Sequence, residues 1–397
     1  MGNYNHRYLI IEDQNCFIFG PRGTGKSTFL NNQFSRALTF DLRTAEHFRM
    51  MHSNPDLLLK LIEERIDHKT IIIDEIQRVP DLLPVIHKAI ESNKSLQFIM
   101  TGSSARKLKK QGIDLLAGRA MRKEMHPYML TEIEESSITL EQLISYGMLP
   151  MIHGVIEDKR TGSLDAYVSL YMEQEVYQEA LVRNIGDFAH FLEIVSLSHG
   201  SVLNLSNISR DCSVNRKTIE SYVQILEDIL LAFKIPVFSK KASRDITHHP
   251  KFYFFDCGVF QTLRPRGPLD HPAEIMGLAL EGLVAQHLRA WISYTPQKNK
   301  LYFWRNRYHH EVDFILYGEI GLYAIEVKLA TEIRKDDLKG IFSFIEEYPI
   351  TEAMILYRGT EVLKKGNVWI IPVERFLRKL TPGKFSIDEF ASLTPDF

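Results

Sequence analysis

The sequence predicts an α/β fold that begins with a parallel sheet and continues into helical and mixed α/β parts. Short apolar runs alternate with amphipathic segments in the first third, and the strand signal disappears between about residues 130 and 200. A helix–turn–helix–hairpin pattern follows, and the chain ends in a further helix with strands. We therefore predict four parts, which cover residues 1–130, 131–200, 201–263 and 264–397.

Four apolar runs in the first part predict strands that are buried on both faces, each ending in a polar or turn residue. Amphipathic stretches separate them, notably Asp56–Arg65 and Asp81–Glu91. Strands of this kind with helices between them are typical of a parallel sheet. The four runs are Cys16–Gly20, Ala37–Asp41, Thr70–Asp74 and Leu96–Gly102.

Helical patterns dominate the second part, where Asp165–Glu179 carries Glu173, Glu175 and Glu179 on its predicted solvent side. We expect this part to be a helical subdomain that acts as a lid. The third part predicts a helix over Leu203–Asp211 and a turn at Cys212–Asn215. A second helix follows, whose apolar residues recur at helical spacing. They are Ile219, Tyr222, Val223, Leu226, Ile229 and Leu230.

Two apolar segments, Ala232–Phe238 and Lys251–Phe255, flank a basic loop after these helices. Helix, turn, helix and hairpin in this order are the layout of a winged helix. The next residues predict a linker to the last part, because Pro and Gly interrupt regular structure. They are Pro265, Gly267, Pro268 and Pro272.

The overall charge excludes a chain that coats nucleic acid or an anionic membrane, since 48 Lys and Arg face 50 Asp and Glu. No run of about 18 uncharged apolar residues predicts a membrane span. The first residues lack the apolar stretch of a signal peptide. Cys16, Cys212 and Cys257 form no CxxC pair, which argues against a zinc site or a disulfide framework and favours a reducing cytoplasm.

A glycine-rich motif follows the first strand. Gly20–Ser27 reads GPRGTGKS, which matches G-x-x-x-x-G-K-[ST] between a predicted strand and a predicted helix. Its backbone N–H groups and the helix N-terminus would bind the phosphates of ATP. Lys26 would neutralise the β- and γ-phosphates, and Ser27 would ligate Mg²⁺. The expected nucleotide-binding residues are Gly20, Pro21, Arg22, Gly23, Thr24, Gly25, Lys26, Ser27 and Thr28.

Two acids end the third predicted strand. Asp74 is expected to hold Mg²⁺ through water, and Glu75 to orient or deprotonate the attacking water, which is the division of labour that phosphoryl transfer needs. The strand Leu96–Gly102 leads to Ser103 and Ser104, of which Ser103 is the preferred sensor of the γ-phosphate. An ordinary strand-end turn is the alternative.

A basic run covers residues 104–123, with Asp114 as its acidic residue. Within it, Arg119 would supply charge to the transition state, either in its own chain or in a neighbour. A solvated surface is the alternative interpretation. The basic residues are Arg106, Lys107, Lys109, Lys110, Arg119, Arg122 and Lys123.

The segments GPRGTGKST, IIIDEIQ, FIMTGSSARKL and LLAGR resemble the AAA-type ATPases of bacteria and archaea. The later segments LEDILLAFKIPVF, KFYFFDCGVF, LEGLVAQHL, EVDFIL and AIEVK resemble the cytoplasmic group of these ATPases that carries a C-terminal DUF4143 region. The resemblance covers nearly the whole chain. It implies an ATPase core, a helical region, a winged helix and a nuclease-like last domain.

The last part brings acids and a lysine onto neighbouring elements. Glu281 lies on the apolar face of a helix predicted over Leu280–Trp291, where burial of a carboxylate without a partner is costly. Asp313 interrupts a strand, and Glu326 and Lys328 share one face of the next strand. This set resembles the PD-(D/E)xK nuclease arrangement.

Three interpretations of this set stay open. Asp313, Glu326 and Glu281 would bind a second Mg²⁺ or Mn²⁺ and Lys328 would position the nucleophile in an active nuclease. The domain would alternatively bind nucleic acid without cleaving it, or the residues would form a buried salt-bridge network.

The winged helix carries a similar ambiguity, because it would either contact DNA or pack against the nucleotide domain. Arg216 and Lys217 open its second helix, where a recognition helix meets phosphate. Candidate partners are ATP, DNA and a protein partner; no membrane is expected, and the oligomeric state is left open. The bases in and beside the presumed wing are Lys240, Lys241, Arg244 and Lys251.

Overall fold

The computed structural model describes residues 5–65, 67–103, 118–134, 138–172, 184–239 and 249–392, without the side chains of 170–172 and 185. The chain divides into two compact units. One unit contains Leu9–His126 and the short segment Asp228–Leu231. The other contains Met1–Tyr8, Pro127–Glu227 and Ala232–Phe397.

The first unit is built on a parallel sheet of five strands in the order β2-β3-β4-β1-β5. The four predicted strands are confirmed as β1 to β4. The fifth strand was missed because its sequence, MRKE, has no apolar run and pairs only at the sheet edge. The strands are β1 Cys16–Phe19, β2 Leu38–Asp41, β3 Thr70–Asp74, β4 Gln97–Gly102 and β5 Met121–Glu124.

Helices connect β1 to β2, β2 to β3 and β3 to β4, as neighbouring parallel strands require. Ile71, Ile72 and Ile73 of β3 are at most 1% exposed, so this strand is covered on both faces. Burial of such side chains is the main stabilisation of the unit. The helices are Lys26–Gln33, Ala45–Ser53, Leu57–Glu63 and Leu82–Ser92, with a 3-10 turn at Ile76–Arg78.

The second unit begins with short helices, as the helical pattern predicted. The helix Glu157–Ala166 continues as a π-helix, Tyr167–Met172, and the predicted solvent-side acids Glu173, Glu175 and Glu179 lie outside the described residues. The other elements are a 3-10 turn at Leu130–Glu132 and the helices Leu140–Tyr146, Pro150–His153 and Ile185–Ser196.

The helices Leu205–Asp211 and Arg216–Asp228 follow, separated by a turn. The second helix ends before Ile229 and Leu230, which the periodicity had placed on it; Leu230 instead has a φ of 62°. The predicted hairpin is confirmed, and it forms an antiparallel sheet of three strands in the order β6-β8-β7. These strands are β6 Ser201–Val202, β7 Ala232–Ile235 and β8 Lys251–Phe254.

A six-stranded mixed sheet completes the unit in the order β13-β14-β12-β11-β10-β9. The two predicted strands that carry Asp313 and Glu326 are confirmed as β10 and β11, which form an antiparallel hairpin with its turn at Gly318–Gly321. These strands are β9 Asn299–Arg305, β10 Glu311–Gly318, β11 Gly321–Lys328, β12 Glu352–Tyr357, β13 Leu363–Lys365 and β14 Val368–Pro372.

The helix that carries Glu281 is longer than predicted and runs over Pro272–Tyr294. Pro272 therefore belongs to the first turn of this helix and not to the linker, a position where its missing N–H costs nothing. None of the helices among the described residues combines the length and apolarity that crossing a bilayer requires. The remaining helices are Cys257–Leu263, Lys339–Glu347, Val373–Lys379 and Ile387–Ala391, with a 3-10 turn at Asp336–Leu338.

Candidate functional site

The glycine-rich loop Gly20–Ser27 joins β1 to the helix Lys26–Gln33. Gly23 and Gly25 have φ values of 81° and 86°, which favour glycine. A Cβ on Gly20 would lie 2.5 Å from the carbonyl oxygen of Met125. The glycines of the motif are therefore required by the backbone itself.

Lys26 is folded back over the loop and is only 6% exposed. Its Nζ donates to the carbonyl oxygens of Gly20 at 2.6 Å and Pro21 at 3.0 Å, and the Thr24 hydroxyl donates to Pro21 at 2.8 Å. Arg22 is half-buried, whereas Thr28 is exposed on the first turn of the helix. The ammonium group is thus held beside the inward-turning loop.

Asp74 lies at the carboxyl end of β3, where the Ser27 hydroxyl donates to its Oδ2 at 2.7 Å. The sequence predicted both residues as Mg²⁺ ligands, and the structure brings their side chains together. A hydroxyl and a carboxylate are the hard oxygen ligands that Mg²⁺ prefers. This pair of donors therefore fits a magnesium ion.

Glu75 follows with a φ of 63° and a ψ of 49°, an uncommon conformation for a residue other than glycine. Its carboxylate accepts a hydrogen bond from the Gln77 side chain, which also donates to Ser103 Oγ at 3.2 Å. Glu75 is 8% exposed and Ser103 is 2% exposed. The predicted base and the predicted sensor thus belong to one hydrogen-bonded group, with Gln77 as the bridge.

Thr101 on β4 is a site residue that the sequence reasoning missed. Its hydroxyl donates to Asp74 Oδ1 and accepts a hydrogen bond from the backbone N–H of Glu75 at 3.0 Å. Thr101 is fully buried. The sequence could have indicated Thr101, because it lies near the end of the strand that leads to Ser103. Neighbouring parallel strands end on the same side of a sheet, so the end of this strand lies near Asp74.

Arg43, just after β2, is a second missed residue. Its guanidinium lies 2.9 Å from Asp74 Oδ2, the oxygen that also accepts from Ser27. It also donates to both carboxylate oxygens of Asp41 at 2.9 Å. Burial opposes ionisation of Asp41, but the hydrogen bonds from Arg43 outweigh it and lower the pKa of Asp41. An arginine thus lies beside the predicted magnesium ligands.

Arg119 lies at the amino ends of the parallel strands, whereas the glycine-rich loop lies at their carboxyl ends. It precedes β5, whose first residue, Met121, pairs with Cys16 at the start of β1. The length of a four-residue strand, about 13 Å, separates this end from the loop. Arg119 also binds Glu91 at 3.1 Å. The role of Arg119 in its own chain is therefore corrected; a role in a neighbour stays a prediction.

In the second unit, the C-terminal acids surround Lys251 of β8. Its Nζ lies 3.1 Å from Glu281 Oε1, 3.1 Å from Asp313 Oδ1 and 2.7 Å from Glu311 Oε1, and its side chain is 3% exposed. The sequence had counted Lys251 among the bases of the presumed wing, for which DNA contact was one of two interpretations. That expectation is corrected, because a buried ammonium group held by carboxylates does not reach a phosphate backbone.

Glu326 and Lys328 lie on the same face of β11, as predicted, with 2.6 Å between Lys328 Nζ and Glu326 Oε1. Burial and the neighbouring Asp313 raise the pKa of Glu326 to about 8. Burial and Asp313 likewise raise the pKa of Glu281 to about 7.

The three predicted ligands Glu281, Asp313 and Glu326 do not fit a metal ion in this arrangement. Lys251 occupies the space between Glu281 and Asp313, and Lys328 takes an oxygen of Glu326. Over the described ranges, no group of three or more His, Cys, Asp or Glu side chains is arranged to hold a metal. The geometry favours the buried salt-bridge network among the three interpretations.

Some of the other basic residues that the sequence singled out are exposed, and others lie outside the described part of the chain. Arg216 and Lys217 are exposed at the start of their helix, and Arg216 binds Glu220 at 3.1 Å. Residues outside the described part of the chain include the sensor alternative Ser104, Asp114 and several predicted bases. These bases are Arg106, Lys107, Lys109, Lys110, Lys240, Lys241 and Arg244.

The parallel sheet, the loop Gly20–Ser27 and the strand-end acids together are the arrangement of a P-loop NTPase core. Consistent with this, residues 12–134 match a family described as AAA domain. Residues 137–270 match a domain of unknown function, DUF8612, and residues 276–376 match a domain of unknown function, DUF4143. The chain therefore matches an AAA domain in its first third and a DUF4143 domain in its last third.

The chain is also similar to individual proteins over most of its length. An uncharacterized protein of Mycobacterium tuberculosis is 22% identical over 372 residues, 88% of this chain and 81% of the relative. One of Methanocaldococcus jannaschii is 24% identical over 339 residues, 78% of this chain and 74% of the relative. Among solved structures, AMPPCP-bound DnaA from Aquifex aeolicus is 14% identical, covering 54% of this chain and 82% of that chain, with a TM-score of 0.25.

Proposed function

We propose that this protein binds ATP with Mg²⁺ and hydrolyses it at the carboxyl edge of its parallel sheet. The observation that carries the proposal is the convergence of Ser27 on Asp74, with Lys26 held over the adjoining loop and Glu75 next in the chain. An AAA domain matched over these residues supports the same chemistry.

Each side chain has a separate task in this proposal. The loop N–H groups and Lys26 bind the phosphates, and Ser27 and Asp74 would hold Mg²⁺. When bound, Mg²⁺ neutralises charge that develops on the phosphate oxygens. Glu75 orients the attacking water and accepts its proton, while Gln77 fixes the Glu75 carboxylate.

Lys26→Ala tests nucleotide binding directly. We expect the variant to lose binding of a fluorescent ATP analogue, measured by fluorescence anisotropy, because alanine removes the ammonium group that would neutralise the β- and γ-phosphates. Lys88→Ala is the matched control, since Lys88 is exposed on the helix Leu82–Ser92 of the same unit. Retained affinity in a folded Lys26→Ala protein would contradict the proposal.

We further propose that ATP turnover drives a switch in the four-part chain, with the divisions predicted at residues 130, 200 and 263. The change of element type supports these divisions. The parallel sheet lies before residue 130, and short helices lie between residues 130 and 200. Two helices and the strands β6 to β8 lie between residues 200 and 263, and the mixed sheet follows.

DNA and a protein are the two candidate partners of this switch. The exposed Arg216 and Lys217 support DNA, because bases at the start of such a helix bind phosphate in winged helices. ATP turnover measured with and without DNA distinguishes the two. Stimulation that falls in an Arg216→Ala, Lys217→Ala double variant would support DNA, and indifference to DNA would favour a protein partner.

Metal-dependent cleavage by the C-terminal part remains a separate candidate function from the sequence. Lys251 among the acids speaks against it, since a lysine ammonium and a divalent cation compete for the same carboxylates. ATP hydrolysis therefore stands as the proposed activity.

A further inference from the structure

Lys251 has the surroundings of a bound cation. Three carboxylate oxygens, from Glu281, Glu311 and Asp313, lie within 3.1 Å of its Nζ. An ammonium group has three N–H donors, so its hydrogen-bonding capacity matches this set of acceptors. The side chain is 3% exposed, which leaves water little access to it.

Other donors also bind these acids. The backbone N–H of Val327 donates to Asp313 Oδ2 at 3.0 Å, and that of Asp313 donates to Glu326 Oε2 at 3.2 Å. Tyr253, two residues after Lys251 on β8, donates its hydroxyl to Glu281 Oε1 at 2.5 Å. A metal ion would have to displace several of these bonds as well as the ammonium group.

The lysine comes from outside the elements that carry the acids. Lys251 is on β8 of the three-stranded sheet, whereas Glu281 is on the helix Pro272–Tyr294 and Asp313 is on β10 of the six-stranded sheet. One side chain thus cross-links three elements of this unit. Removing one partner from such a buried set is strongly destabilising, because it leaves the other charges uncompensated.

We propose that Lys251 is a built-in cation that takes the place of the divalent metal in the C-terminal acidic cluster. The cluster formed by Glu281, Glu311, Asp313 and Glu326 is then a structural connection that binds no divalent cation and cleaves no phosphodiester. This inference does not depend on ATP hydrolysis in the other unit. It also implies that the acids form a latent cation site from which the ammonium group excludes metals.

The test measures Mn²⁺ binding to the full-length protein by electron paramagnetic resonance without nucleotide. We expect the wild type and Asp313→Asn to bind Mn²⁺ equally. Any ion that the wild type binds elsewhere does not use Asp313. Wild-type binding that disappears in Asp313→Asn would overturn the proposal. Plasmid nicking with Mn²⁺ that disappears in the same variant would also overturn it.

Lys251→Met tests the latent site, because methionine retains the length of the side chain and removes its charge. We expect this variant to gain Mn²⁺ affinity of at least about tenfold, and adding Asp313→Asn to abolish the gain. Lys234→Met is the matched control, since Lys234 also forms an ion pair, with Glu227 at 2.7 Å, and is paired with Phe252, on the opposite face of this sheet from Lys251. No gain in a folded Lys251→Met protein would contradict the exclusion of metal by this lysine.

Circular dichroism shows whether each variant folds. If Lys251→Met does not fold, the wild-type comparison decides the proposal by itself. Glu281→Gln replaces Asp313→Asn in that comparison if the latter is unstable. Mn²⁺ binding lost in Glu281→Gln would then overturn the proposal, and unchanged binding would support it.

Discussion

Thr101 and Arg43 show how single side chains control the strand-end acids. Thr101 contacts Asp74 and the backbone of Glu75 at once, so it fixes the two acids relative to each other. Arg43 shares Asp74 Oδ2 with Ser27. The acids alone therefore do not define the site, because a hydroxyl and a guanidinium hold Asp74, the proposed magnesium ligand, in place.

Thr101→Val tests the positioning role of this hydroxyl. Valine has a similar shape and leaves Asp74 and the Glu75 N–H without their partner, so we expect ATP turnover to fall roughly tenfold. Binding of the ATP analogue should change little, because Lys26 and the loop N–H groups, which would bind the phosphates, are kept. Thr101→Ser, which keeps the hydroxyl, is the control; equal turnover in the Val and wild-type proteins would contradict the role.

The parallel sheet accounts for the proposed ATP site at the scale of elements. Because β1, β3 and β4 are parallel, their carboxyl ends lie together. Motifs that are far apart in sequence therefore meet there, although no local sequence pattern indicates the contact. Because β5 is parallel to β1, Arg119 lies at the amino ends of the strands, away from these motifs. Spacing along the chain did not reveal this. Alternating apolar runs thus predict the sheet, but they do not predict a charged edge strand such as β5.

His287 links two elements of the second unit. Its Nδ1 donates to the carbonyl oxygen of Leu283 at 2.7 Å, and its Nε2 accepts from the backbone N–H of Leu130 at 3.0 Å. Only the neutral ring makes both bonds. Burial lowers the pKa of His287 to about 4.

This environment predicts that acid destabilises the unit. The folded-state pKa lies below the ordinary value of about 6.5, so the stabilisation is complete above pH 6.5 and is lost as the pH falls towards 4. Between pH 7.5 and 5 we expect His287 to account for a loss of about 2 kcal/mol.

Urea unfolding of wild type and His287→Asn at these two pH values measures the contribution. The variant should be less stable at pH 7.5 and should lose less stability on acidification. Raised pKa values of carboxyls such as Glu281 act in the opposite direction in both proteins and cancel in the comparison. His271→Asn, at an exposed position, is the control, and equal losses in His287→Asn and wild type would contradict the assignment.

On the scale of the whole molecule, the near-zero net charge conceals a strong local pairing of charges. The acids of the C-terminal cluster are matched by Lys251 and Lys328, so a large part of the negative charge there is internal. In this cluster, the lysines thus occupy the carboxylates that a metal would need.

The sequence allowed prediction of the P-loop, the strand-end acids and the hairpin that carries Asp313 and Glu326. It did not allow prediction of Lys251 as their partner. A lysine at the start of the strand KFYF reads as a surface base, and its partner Asp313 is 62 residues away along the chain. Local patterns identify elements, whereas the side chain that enters an acidic cluster depends on how the elements pack.

ATP turnover by wild type and Glu75→Gln, measured with Mg²⁺ beside binding of a fluorescent ATP analogue, is the most direct test of the proposed ATPase. Glutamine keeps the shape of the side chain but cannot accept the proton of the attacking water. The account predicts wild-type hydrolysis, unchanged analogue binding and a fall in Glu75→Gln turnover of at least about a hundredfold. Equal turnover in the two proteins, or a wild type that binds ATP without hydrolysing it, would contradict the account.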